Sequence, residues 1–60
     1  MTVDECVKYW EDTGDTRFEA YIGMDLIEMV VDNETGEPEI VINDTGIDLA
    51  PEDVDTWNRY

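Results

Sequence analysis

Two Asp-Thr-Gly triplets stand in this chain, at Asp12-Thr13-Gly14 and at Asp44-Thr45-Gly46. Two aspartates held about 3 Å apart cannot both ionise, so they share a proton and work as an acid–base pair. The rest of the chemical inventory is narrow. There is one cysteine, Cys6, and no histidine. A Cys6 nucleophile would lack its usual imidazole base, and no intrachain disulfide can form. With one cysteine and no histidine, the nitrogen and sulfur donors of a zinc site are too few.

The stretch 40–48, IVINDTGID, resembles the motif of retroviral-type aspartic proteases. It departs from that pattern at Asn43, a polar residue where the family places an apolar one. The chain is also shorter than such a subunit, and it shows neither a flap hairpin nor a second apolar-Gly segment. Asp12 closes a predicted helix rather than a strand. Both triplets therefore read as turns, with Asp44 as one more carboxylate after a strand.

Calcium fares no better. An EF-hand loop needs glycine at its sixth position. Counting from Asp32 puts Gly36 fifth, and counting from Asp44 puts Gly46 third. No P-loop or dinucleotide-binding glycine pattern is present. We expect no catalytic, cofactor or metal site, and no enzyme. Asn33-Glu34-Thr35 and Asn43-Asp44-Thr45 match the glycosylation acceptor pattern. Without a secretory signal, both read as chance.

Charge is the dominant feature. Seventeen acidic residues face only Lys8, Arg17 and Arg59, for a net charge of −14. Self-repulsion of this size opposes compaction and makes folding salt-sensitive. Yet 42% of residues are hydrophobic, including Trp10, Trp57 and Phe18, which acidic disordered tails are not. One small folded domain over residues 1–60 follows, with a core that leaves little stability to spare. No apolar run reaches the roughly 20 residues of a membrane span, and the acid-rich start does not read as a signal peptide. A cytoplasmic protein is the expectation.

The elements that must position the acids can be read from periodicity. Val3, Cys6, Val7 and Trp10 share one helical face. Thr2 and Glu5 make a capping-box pattern, and Gly14 is a C-terminal stop. A helix over about residues 3 to 12 results, with Asp4 and Lys8 spaced to pair. Glu11 and Asp12 fall at its C-terminal end, where the dipole disfavours them. TRFEAYIG alternates as a strand with Phe18, Ala20 and Ile22 on one side. MDLIEMVVD places Ile27, Met29 and Val31 together, and EIVIN places Ile40 and Ile42 together. Pro51 opens a short C-terminal helix with Leu49 and Val54 as a staple; a terminal strand, TWNRY, competes with it.

The expected fold is α+β. An N-terminal helix packs on a three-stranded, mainly antiparallel sheet, followed by a short C-terminal helix or strand. The expected core is Cys6, Val7, Trp10, Phe18, Ile22, Ile27, Met29, Ile40, Ile42, Val54 and Trp57. The acids then occupy the other sheet face, the loops and the helix exterior.

Direct nucleic-acid binding is opposed by charge, since phosphates call for Lys and Arg. The inverse fits. Carboxylates two apart on a strand lie about 7 Å from each other, and phosphates advance about 3.4 Å per strand position along DNA. The expected partner-contacting acids are Glu11, Asp12, Asp15, Glu19, Asp25, Glu28, Asp32, Glu34, Glu37 and Glu39. In size, charge and make-up the whole chain resembles the small phage-encoded DNA-mimic inhibitors, which include anti-CRISPR proteins. That resemblance implies binding to the basic DNA-binding surface of a host defence complex, type I Cascade first. It rests on no motif and transfers no single residue. Monomer and homodimer both fit the sequence.

Two other readings fit the composition. Proteins of extreme halophiles resemble it, and there acidity is a solvation device. An acidic antitoxin or immunity protein for another basic partner fits as well. Plentiful aromatic residues, and eight Glu against nine Asp, lean away from the halophilic pattern.

Overall fold

A computed structural model describes Met1–Tyr60. The order is helix α1 (Val3–Thr13), strands β1 (Arg17–Ile22), β2 (Asp25–Val31) and β3 (Pro38–Asn43), a 3-10 turn (Pro51–Asp53), and strand β4 (Asn58–Arg59). The four strands form one antiparallel sheet in the order β3-β2-β1-β4. The fold is α+β, as the periodicities require. The sheet gains a fourth strand because both readings of the C-terminus hold in part: one 3-10 turn, then a two-residue strand.

Both ends of α1 form where local chemistry places them. The Thr2 hydroxyl accepts from the Glu5 N–H at 3.3 Å, and the Glu5 carboxylate accepts from the Thr2 N–H at 2.9 Å. These bonds satisfy two of the donors left open at the helix start. Bonded to the Thr2 backbone first and its side chain second, the Glu5 carboxyl titrates below its ordinary value. At the other end Gly14 takes φ 82° and its N–H donates to the Trp10 carbonyl. That left-handed conformation favours glycine. The expected pair Asp4–Lys8 does not form, as the one ion pair in the molecule is Arg17–Glu28.

The helix lies on the face carrying Phe18, Ala20, Ile27, Met29 and Val31. With Cys6, Val54 and Trp57 these make the core. The segment between β3 and β4 crosses the same face, which explains how Val54 and Trp57 are buried without a C-terminal helix. Trp57 is wholly buried; its indole N–H donates to the Pro51 carbonyl at 3.1 Å. Met1 and Trp57 exchange backbone hydrogen bonds of 2.6 and 2.9 Å, which ties the start of the chain under the crossing segment.

Of the other expected core residues, Trp10 and Ile40 are half-buried and pack against this core. Val7 is half-buried, and Ile22 is exposed because it extends beyond the covered part of the sheet. Ile42 is a correction with a specific cause. Met29 pairs with Ile40 but Glu28 pairs with Ile42, so Val41 is an extra residue in a β-bulge. A bulge reverses the alternation beyond it, which turns Ile42 onto the outer face beside Glu28. Cys6 is fully buried, and burial pushes its thiol up to about 11. Cys6 packs as a core side chain.

A candidate acidic interface

The strand register defines two ends of the sheet. One end holds the start of β1, the end of β2 and the start of β3, since Arg17 pairs with Val30 and Val31 with Pro38. The C-terminus of α1 meets this end, where the Trp10 indole N–H donates to the Asn33 side chain at 2.9 Å. Glu11, Asp12, Asp15, Asp32, Glu34, Glu37 and Glu39 all fall here. Three separate segments supply them: the last turns of α1, the link to β1, and the β2–β3 loop with the start of β3. Folding therefore concentrates seven of the ten expected acids that are dispersed along the chain.

The β2–β3 loop is held rather than loose. One carboxylate oxygen of Asp32 accepts from the Glu34 N–H at 2.7 Å and the Thr35 N–H at 3.2 Å. The Asp32 N–H donates to the Glu37 carbonyl, and the Gly36 N–H to the Asp32 carbonyl, both at 2.8 Å. Gly36 has φ 75° and lies against the Trp10 ring, so close that a Cβ there would stand 3.0 Å from it. Asp32 thus organises the loop, whereas Glu34 and Glu37 extend into solvent. No basic side chain pairs with any of these acids.

The other three expected acids are placed differently. Glu19 and Glu28 lie directly opposite on the outer sheet face, where like charges repel. Arg17 resolves the conflict by donating to Glu28 at 3.1 Å. Glu28 is buried, its charge is taken up inside the fold, and it is not an accessible contact. Its hydrogen bond is the main reason the Arg17 guanidinium titrates above its ordinary value. Arg17 also stacks on the Tyr60 ring at 3.8 Å. Leu26, Val30 and Ile42 share this face with the glutamates, so it is not a continuous acidic surface. Asp25 lies at the opposite end, at the start of β2.

Both arginines stand at the β4 side of this same acidic end, next to Asp15. Arg59 donates to the Tyr9 hydroxyl at 2.8 Å, and that bond is the first cause of its raised pKa. Two open hollows lie near them. One, of about 260 Å³, is lined by Gly14, Asp15, Thr16, Arg17 and Tyr60; the other, of about 530 Å³, by Asp15, Asn58, Arg59 and Tyr60. Neither brings a nucleophile against a base. The two Asp-Thr-Gly aspartates also stay apart. Asp12 ends α1 at the acidic end, whereas the Asp44 N–H donates to Leu26 at the far end of β2. Roughly 20 Å of strand separates those ends, so the pair cannot share a proton. Nowhere do three or more acidic or thiol side chains converge as metal ligands.

The sequence points to a row of acids on a sheet face or loop, but not to three segments bringing seven of them to one end. Asn33 and Gly36, which dock the loop on Trp10, were missed as well. The signal available was a turn-rich acidic loop with a glycine; its docking site lies more than twenty residues away along the chain. No family model, curated protein or solved structure matches this chain. No helix is long and apolar enough to cross a membrane.

Proposed function

We propose that this chain is a non-enzymatic inhibitor that mimics DNA. Its acidic end occupies the basic nucleic-acid-binding groove of a host defence complex, with a type I Cascade surface as the first target and the host cytoplasm as the place of action. The observation that supports this reading is the cluster of seven carboxylates on three segments, none of them in an ion pair and only Asp15 beside the arginines.

The geometry suits the role. Asp32 and the Trp10 contact hold the loop before any partner arrives, so little ordering entropy is lost on binding. Association is steered by charge and weakens with salt. Counterions released from the basic groove add entropy.

A titration of a type I Cascade complex, at about 0.15 M salt, tests the proposal. The native chain should bind and be displaced by double-stranded DNA. A variant carrying Glu34→Lys, Glu37→Lys and Glu39→Lys should lose at least about 100-fold in affinity, or about 2.7 kcal/mol, and fold at least as well. Equal binding by the variant, or indifference to DNA, overturns mimicry at this end.

One observation favours a second reading. Exposed acids also lie away from the cluster, among them Asp4, Asp44, Asp48, Glu52 and Asp55. If the native chain binds no basic complex and folds only in molar salt, the charge serves solvation, as in halophilic proteins.

A further inference from the structure

The end of the sheet opposite the acidic cluster has its own character. Four exposed large apolar side chains lie there, Tyr21, Ile22, Met24 and Ile47, and the exposed Val41 and Ile42 follow toward the middle of the sheet. Each has a structural reason for being outside. Tyr21 and Ile22 end β1 beyond the reach of α1. Met24 forms the tip of the β1–β2 turn, which Gly23 makes by taking φ 62°, and it is 96% exposed. The bulge at Val41 turns Ile42 outward. Ile47 lies in the loop that leaves β3 and is 60% exposed. That loop returns to the same end, because the Asp44 N–H bonds to Leu26 beside Tyr21.

Turn tips and loops ordinarily carry polar residues, and exposed apolar side chains at one end of a small domain point to a contact surface. Its charge selects the occupant. Asp25, Asp44 and Asp48 border the apolar group, and none of the three basic residues lies there: Arg17 and Arg59 are on the β4 side, and Lys8 is in mid-helix. A second copy would bring these aspartates against their own equivalents, and an anionic membrane would repel them. A protein surface with an apolar centre and a rim of Lys or Arg matches both features.

We infer that this end is a second docking surface, for a basic protein partner that inserts apolar side chains between Met24, Ile47 and Tyr21 while its cations meet Asp25, Asp44 and Asp48. Methionine suits such a contact because its unbranched side chain adapts to the surface it meets. The surface is separate from the acidic end and holds whatever that end binds.

Nuclear magnetic resonance titrations of the full chain with two synthetic peptides test it. One is an amphipathic helix of Leu and Lys; the other is oligolysine of equal charge. The Leu–Lys peptide should shift Tyr21, Met24 and Ile47 and keep binding at raised salt. Oligolysine should shift the β2–β3 loop and be lost with salt. The double variant Met24→Ser, Ile47→Ser changes only exposed side chains. It should weaken the Leu–Lys peptide by about tenfold and leave oligolysine binding unchanged. The inference is overturned if both peptides shift only the β2–β3 loop, if neither shifts this end, or if the variant binds the Leu–Lys peptide as well as the native chain. Self-association that the variant abolishes would instead assign the surface to a second copy. Tighter binding to anionic phosphatidylserine vesicles than to the peptide would assign it to lipid. Either result overturns the inference.

Discussion

The two ends of this sheet solve opposite problems with similar pieces. At the acidic end a six-residue loop, Asp32 to Glu37, is fastened by an Asp32 carboxylate and by Trp10, so repelling charges stay where they are. At the other end a two-residue turn, Gly23-Met24, places an apolar side chain in water with nothing packed on it. Each end is backed by a tryptophan, and the two differ. Trp57 lies fully inside, beside Ala20, in the half of the sheet nearer the apolar end. Trp10 is half-buried and clamps the acidic loop. The lesson is that exposure at one end follows from charge and at the other from uncovered sheet. Only the charged end needed a dedicated anchor.

The largest effect that separates the two ends comes from their tryptophans. Trp57→Ala should cost about 3–5 kcal/mol, enough to unfold a domain with so small a core. Trp10→Ala should cost less, about 2 kcal/mol, and leave a folded chain whose β2–β3 amides exchange faster. Denaturant unfolding and hydrogen exchange measure both. A Trp10 loss as large as that of Trp57 would show that the acidic loop belongs to the core rather than being hung upon it.

The glycines give the next contrast. Gly36→Ala meets both a left-handed backbone and the Trp10 ring at 3.0 Å, whereas Gly23→Ala meets the backbone alone, with open space around it. Costs of about 2 and about 1 kcal/mol follow, readable as unequal shifts of the unfolding midpoint. Smaller still is Glu11→Lys. A cation in the last helical turn favours the dipole, so stability should rise by about 0.5 kcal/mol while the acidic end loses charge. Thermal melts across a salt series should show the variant depending less on salt than the native chain.

Cys6 supplies a pH signature from the layer between the ends. Its folded pKa is raised from 9.0 to about 11 by burial. Above the unfolded value the unfolded chain loses its proton first, so ν is lower in the unfolded state and stability falls as pH rises. The decline should run between about 9 and about 11. Cys6→Ala should remove that part of the profile in pH-dependent unfolding.

Much of the fold was legible because it is locally encoded. The capping box of Thr2 and Glu5, the Gly14 stop, and the alternation of Phe18, Ala20, Ile27, Met29 and Val31 act within a few residues, and each appears as read. The C-terminus was ambiguous because Pro51 favours a turn start while Thr56 to Tyr60 favours a strand; a 3-10 turn followed by a strand satisfies both. Ile42 was misplaced because a bulge depends on how two strands pair, not on either strand alone. The candidate site was legible as a set of acids and not as a place. Glu28 shows the limit: in sequence it is one more carboxylate, and in the fold Arg17, eleven residues away, neutralises it.

By itself the sequence determined the helix and its caps, the three main strands, the buried thiol and the excess of negative charge. These depend on neighbours a few residues apart and on composition. Tertiary structure alone decided that α1, its link to β1 and the β2–β3 loop would meet at one end, that Met24 would mark the other and Ile42 turn outward, and that Trp57 rather than Trp10 would fill the core. Those outcomes depend on strand register, on one bulge and on where a short helix stops covering its sheet, and such contacts join residues far apart along the chain.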